Sequence, residues 1–259
     1  MARRKISKAE RRRQDAQRLG TIKVAGVYQR RLERNRRKEL RRVLDIARDY
    51  KDPGALPGLL EQELDESRYL GGWWTGLWLD VGKPVAAATA QDLARAKAAT
   101  ENVWVTTLRR YAIERAGAEI VGVTGTWKTS LVELLAQIML EDIGNQGVEK
   151  ITRELYRRYT GDLERWQCRR IAQTEAMIGA ADAADAAAQE LDVDFTKQWC
   201  ISGLGNTRET HELMDGVTVG KDELFQLPDC VMRFPHDTTY NPPAGEIINC
   251  ACTCIRRPI

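Results

Sequence analysis

The stretch Lys197–Cys254, KQWCISGLGNTRETHELMDGVTVGKDELFQLPDCVMRFPHDTTYNPPAGEIINCACTC, decides how this chain is read. It holds little amphipathic repeat and many residues with special conformational or chemical roles. Phe195 to Ile201 alternates as a strand, with Phe195, Lys197 and Trp199 on one face. Arg208 to Met214 reads as a short helix, Asp215-Gly216 as a turn and Val217-Thr218-Val219 as a strand. Residues 220–245 are loop-rich, punctuated by Pro228, Pro235, Pro242 and Pro243. A final strand is expected over Ile247 to Ile255. Period-two alternation would then turn the thiols of Cys250, Cys252 and Cys254 to one side. These signals predict a small, loop-rich α+β domain over residues 192–259.

Cysteine and histidine in this stretch suggest chemistry. Zinc takes thiolate and imidazole ligands tetrahedrally, so Cys200, His211, Cys250 and Cys252 form a candidate zinc set. Cys-x-Cys is a poorer zinc signal than Cys-x-x-Cys, and reduced thiols half-buried in a small core are the plainer reading. The same residues are also the raw material of a metal- or thiol-dependent nuclease or toxin-like enzyme, although no spacing sets a base against a nucleophile. The six cysteines, at 168, 200, 230, 250, 252 and 254, cluster at the far end. They read as thiols or ligands in a reducing cytoplasm rather than as a disulfide framework.

Upstream the pattern becomes helical. A helix is expected from Asp162 to about Leu191, preceded by an amphipathic one over residues 148–156 with Val148, Ile151 and Leu155 inward. Asp142 to Gly147 reads as a turn. Leu131 to Leu140 is helical, with Thr126 or Thr129 as its N-cap. Gly122 to Ser130 superficially resembles a phosphate-binding loop, but Trp127 stands where that loop needs glycine. Gly117 to Thr126 reads as a turn or short extended piece, and Val85 to Arg115 as a long helix. Lys83-Pro84 is expected to end the element before it. That element carries Trp74 and Trp78 on one helical face, read as core, with neighbouring glycines under the rings. Asp52-Pro53-Gly54 and Pro57-Gly58 break the chain further upstream. The fold expectation is thus α+β, mostly helical in the N-terminal and central region (1–50, then 51–191), with the α+β domain last.

At 259 residues with 30% charged residues, the chain can bury a real core, and no apolar run reaches bilayer length. The net charge of +3 hides a split. Residues 1–42 hold 17 Lys and Arg against 4 Asp and Glu. A looser arm containing Gly20 and Gly26 is expected before a helix from Tyr28 to Tyr50. Arg3, Arg4, Lys5, Arg11, Arg12, Arg13, Arg30, Arg31, Arg34, Arg36, Arg37, Lys38, Arg41 and Arg42 are the candidate contacts to a polyanion such as double-stranded DNA. With only Tyr28 and Tyr50 interleaved, base stacking is not expected. On this division, removing residues 2–42 should leave the last domain folded.

Five pieces in order carry a family resemblance: Trp199, then Thr207-Arg208-x-x-His211, Asp215-Gly216, Phe234-Pro235-x-Asp237 and Ile248-Asn249-Cys250-x-Cys252. With Arg170-Ile171-Ala172-x-Thr174-Glu175 upstream, they resemble the C-terminal domain of the Mu F-like minor head proteins of tailed phages, over about Gly144 to Cys254. The resemblance implies a virion protein of the head, assembled in the host cytoplasm, near the portal vertex or head interior. It implies portal or major capsid protein and packaged DNA as partners, no membrane, and a part in head assembly or DNA delivery by binding rather than chemistry. Arg170, Thr174, Glu175, Trp199, Arg208, Asp215, Gly216 and Asn249 would be its structural motif. From the residues alone, Arg170 and Glu175 read as an ion pair or as an anchor for the last domain.

Overall fold

The computed structural model describes residues 2–93, 101–141, 147–191, 193–203 and 207–259. The expected turn over 142–147 lies outside them, apart from Gly147. The fold is α+β, with a helical N-terminal and central region and a small antiparallel sheet. In chain order come β1 (Ala2–Arg3), α1 (Lys8–Tyr50), a 3-10 turn (Pro53–Ala55), α2 (Leu56–Glu63), α3 (Ser67–Leu93), α4 (Glu101–Leu140), α5 (Val148–Tyr159) and α6 (Asp162–Gln189). Then follow β2 (Phe195–Cys200), α7 (Glu209–Glu212), β3 (Val217–Gly220), β4 (Phe225–Gln226), β5 (Val231–Met232), α8 (Ala244–Ile247) and β6 (Thr253–Pro258). No helix among the described residues is long and apolar enough to cross a membrane.

Several helices run through residues expected to break them. There is no loose arm at Gly20 and Gly26, because α1 is helical from Lys8 onward. Its start is a capping box: Ser7 Oγ accepts from the Glu10 N–H at 3.2 Å, and Glu10 accepts from the Ser7 N–H at 2.9 Å. Pro84 does not end α3, which continues to Leu93. An interior proline costs about 3 kcal/mol. Burial of Val81, Val85 and Leu93 at about 1.5–3 kcal/mol each outweighs it. Likewise α4 passes straight through Gly122 and Gly125. Thr126 is not a cap, since its hydroxyl donates back to the Gly122 carbonyl at 2.9 Å within the helix.

The chain forms two compact units, each assembled from separated segments. One holds Val27–Thr75 and Ile113–Arg169. Its core gathers Leu40, Val43, Leu44, Leu56, Leu60, Trp127, Leu131, Leu135, Ile151, Leu155 and Tyr159 from α1, α2, α4 and α5. Arg36, expected to meet phosphate, is fully buried here. Its guanidinium donates to both carboxylate oxygens of buried Glu66, at 2.8 and 3.1 Å, and lies 5.0 Å from the centre of the Trp127 ring. Trp127 is thus a core residue, and Trp73 donates its indole N–H to the Tyr28 carbonyl at 2.8 Å.

The other unit holds Met1–Gly26, Gly76–Ala112 and Arg170–Ile259. Its sheet runs in the order β1-β3-β2-β6, all antiparallel, with β4 and β5 paired apart. The N-terminal residues therefore belong with the C-terminal domain, not to an independent arm. Ala2 pairs with Thr218 and Arg3 with Val217, and Ile6 packs with Cys200 and Ile255. Arg11 and Arg257 fasten α1 to this unit through Asp215 and Glu10, each at 2.5 Å. Trp78 is buried as expected, but the glycine beneath it is Gly179 of α6: a Cβ there would lie 2.9 Å from the indole Cγ. Gly71 and Gly72 have nothing within 4 Å at that position.

Candidate metal centre

Three loops of the second unit meet around β2. The first follows β2 and leads into α7, which carries His211. Its base is fixed by Asp215, whose carboxylate accepts the Ile201 N–H at 3.2 Å. Gly216 turns the chain into β3 at φ +78°, where any Cβ would come 2.9 Å from the Arg4 carbonyl oxygen. Only glycine satisfies both conditions.

The second loop carries His236, in a positive-φ conformation at +75°. Asp237 holds it, with one carboxylate oxygen accepting the Arg233 N–H at 2.8 Å and the other the Thr239 N–H at 3.0 Å.

The third loop, between α8 and β6, carries Cys250 and Cys252. Asn249 makes its bend at φ +57° and donates its N–H to Thr174 Oγ1 of α6 at 3.2 Å. Arg208 donates to the Ile248 carbonyl at 2.5 Å, and Arg18 of α1, itself buried, donates to the Ala251 carbonyl at 2.6 Å. The bond from Asn249 to Thr174 ties α6 to the loop. Glu175 is buried, and both it and Arg170 are engaged by neighbours.

At the centre, His211 Nδ1 lies 3.5 Å from Cys250 Sγ and 3.4 Å from Cys252 Sγ, all three residues being buried. These ligand atoms lie within 4.8 Å of one another. Trp199 packs edge-on against the imidazole, ring centres 5.2 Å apart. On the far side His211 Nε2 is 2.8 Å from Glu246 Oε2, close to the carboxylate but off the line of a hydrogen bond. Glu246 in turn accepts from Thr210 Oγ1 at 3.0 Å.

The two thiols titrate as a pair. Hydrogen bonding from Cys252 pulls Cys250 well below the usual thiol range against the effect of burial, and both imidazoles reinforce it. Cys252, hydrogen-bonded to Cys250 and buried, is pushed up and keeps its proton. One thiolate at neutral pH, facing imidazole nitrogen, suits a soft divalent cation. It suits a nucleophile poorly, because the adjoining cavity, lined in part by His236 and Cys252, has a volume of only about 30 Å³.

Two expectations fail here. Cys200 is not part of the group. Trp199 turns its ring to His211, so the next residue on β2 points to the opposite face, where Cys200 packs with Ile6 and Ile255. Burial raises its pKa, as for an inert thiol. Nor do three thiols share a strand face, because β6 begins at Thr253 and Cys250 and Cys252 precede it in the loop.

Of the basic candidates, Arg11 is paired with Asp215, Arg13 with Asp92, Arg37 with Glu164, and Arg42 with Glu39 and Glu63. Arg3 donates to the Leu213 carbonyl. Arg4, Lys5, Arg12, Arg30, Arg31, Arg34, Lys38 and Arg41 are exposed. Neither His236 nor Arg18 stood out as a site residue in the sequence. The one cue to His236 was that the chain has only two histidines. No protein-family model, curated protein or solved structure matches this chain.

Proposed function

We propose that this chain is a Mu F-like minor head protein of a tailed phage, which works by binding at the portal vertex or head interior. The observation that carries the reading is the convergence of the residues behind the resemblance. Thr174, Trp199, Arg208, His211, Asp215, Asn249, Cys250 and Cys252 are scattered over nearly eighty positions, yet each contacts another of them or a residue one or two places along the chain from one. A motif kept for chemistry would face a cleft. These side chains are mostly buried, which supports a rigid docking module. Burial also weighs against the nuclease or thiol-enzyme alternative.

The partner on the DNA side would meet the exposed face of α1. Arg30, Arg34 and Lys38 repeat every four residues, with Arg41 on the next turn, and they line a shallow groove. Changing Arg30, Arg34, Lys38 and Arg41 together to Glu is expected to weaken binding to double-stranded DNA. The log–log salt slope should flatten by roughly 3–4, since each phosphate contact contributes about 0.9. An unchanged slope would remove DNA as partner. The wider reading is tested by mass spectrometry of purified phage particles: the chain should be present in the head, and its absence there sinks the proposal.

A further inference from the structure

We propose that His211, His236, Cys250 and Cys252 bind one zinc ion tetrahedrally, and that this ion locks the three loops together. The inference stands apart from any place in a phage head, because it rests on ligand geometry.

The first support is distance. Zn–S of about 2.3 Å and Zn–N of about 2.0–2.1 Å put sulfur and nitrogen roughly 3.5 Å apart at the edge of a tetrahedron. His211 Nδ1 lies 3.4 and 3.5 Å from the two sulfurs. A ring nitrogen carries at most one proton, or one lone pair, and can aim it along one line. A nitrogen equally close to two sulfurs matches two shared edges of a coordination polyhedron better than one hydrogen bond.

The second is the orientation of both rings. Metal-binding histidines characteristically turn their other nitrogen to a carboxylate or a backbone carbonyl, which fixes the tautomer. His211 turns Nε2 to Glu246, and His236 turns Nε2 to the Cys252 carbonyl at 3.1 Å. Each therefore presents Nδ1 to the thiols. His236 Nδ1 is buried near Cys250 but makes no hydrogen bond of good geometry, a costly state for an imidazole nitrogen unless something binds it.

The third is the loop itself. The Cys252 N–H donates to Cys250 Sγ at 3.4 Å, an arrangement that stabilises a metal-bound thiolate. His236 stands beside Cys250 but outside the tight group of three, so binding draws its ring inward. Both sulfurs bind as thiolates, so any proton still held on them leaves to solvent as the ion enters.

The test uses the full-length protein purified without chelator. Elemental analysis is expected to give one zinc per chain. Replacement by Co²⁺ should give intense d–d absorption in the red and thiolate charge transfer in the near ultraviolet, as tetrahedral two-sulfur, two-nitrogen coordination requires. Cys200→Ser should keep zinc, whereas His236→Ala and Cys252→Ser should yield it to a chromogenic chelator. Glu246→Gln, a change to a positioning residue, should weaken affinity roughly 10–100-fold. Wild-type protein that takes up no zinc, gives a weak octahedral Co²⁺ spectrum or carries a Cys250–Cys252 disulfide overturns the proposal. So does loss of zinc in a folded Cys200→Ser. The wild-type Co²⁺ spectrum decides the matter even if a ligand variant fails to fold.

Discussion

At the scale of single residues, the chain depends on a few positions where space or charge leaves no choice. Gly179 has no room for a methyl group beneath Trp78, because the atom would sit at 2.9 Å from ring carbon. Gly179→Ala should destabilise by about 1–3 kcal/mol, read as a lower urea midpoint at unchanged slope. Gly72→Ala, in an open helical position, should instead stabilise by about 0.5–1 kcal/mol. The buried Arg36–Glu66 pair is a second such position. Glu66→Gln leaves a guanidinium uncompensated in the core and should cost about 3–5 kcal/mol by the same measurement. What the sequence conceals at this scale is pairing. Arg36 resembles its exposed neighbours in the basic run, and only the fold brings Glu66 to it. His236 similarly reads as a loop residue, because its approach to Cys250 depends on a positive φ and on the Asp237 clamp.

At the scale of elements, the start of α1 couples helix initiation to the last strand. Glu10 closes the capping box on Ser7 and also accepts from Arg257 on β6 at 2.5 Å. Partial burial pushes its pKa up, but the hydrogen bonds from Ser7 and the Arg257 guanidinium outweigh that and hold it at about 2. Its folded pKa lies below the unfolded one, so the stability it confers is complete above about pH 4.5 and fades as pH falls through about 2. Glu10→Gln should therefore cost about 1 kcal/mol at pH 7, and the gap from wild type should narrow below pH 4. Thermal melts across that range measure it. Elements with strong periodicity were legible: α5 and β3 follow their apolar spacing, and β2 and α6 lie close to where they were expected. The glycine and proline signals misled: buried Val81 and Val85 flank Pro84, and Gly122 and Gly125 lie in α4 just ahead of buried Trp127 and Leu131, so packing outweighs a weak local preference. The final strand was placed too early, since Asn249 in a left-handed conformation turns an apparent alternation into a loop.

At the scale of the whole molecule, the order of the chain is not the order of the units. Composition draws a line near residue 42, where the basic run ends, and that line suggested a separable arm. Strand pairing crosses it. Deleting residues 2–7 removes β1, Ile6 and the Ser7 cap. It should lower the melting temperature of the sheet-bearing unit and expose β3 to proteolysis. A truncated protein melting like the full chain would contradict the pairing of Ala2 and Arg3 with β3. The candidate site was legible as three of its residues and not as a geometry, because spacing cannot say which side of β2 a neighbour faces.

That interleaving also bears on how the protein is made. A ribosome releases Ala2 and Arg3 long before β2, β3 and β6, so this early strand must wait until the chain beyond Gly220 has emerged before β3 stands complete beside it. Until then its bonding edge is free in a crowded cell, and slow codons or stalls after residue 169 would lengthen that wait without touching the finished half.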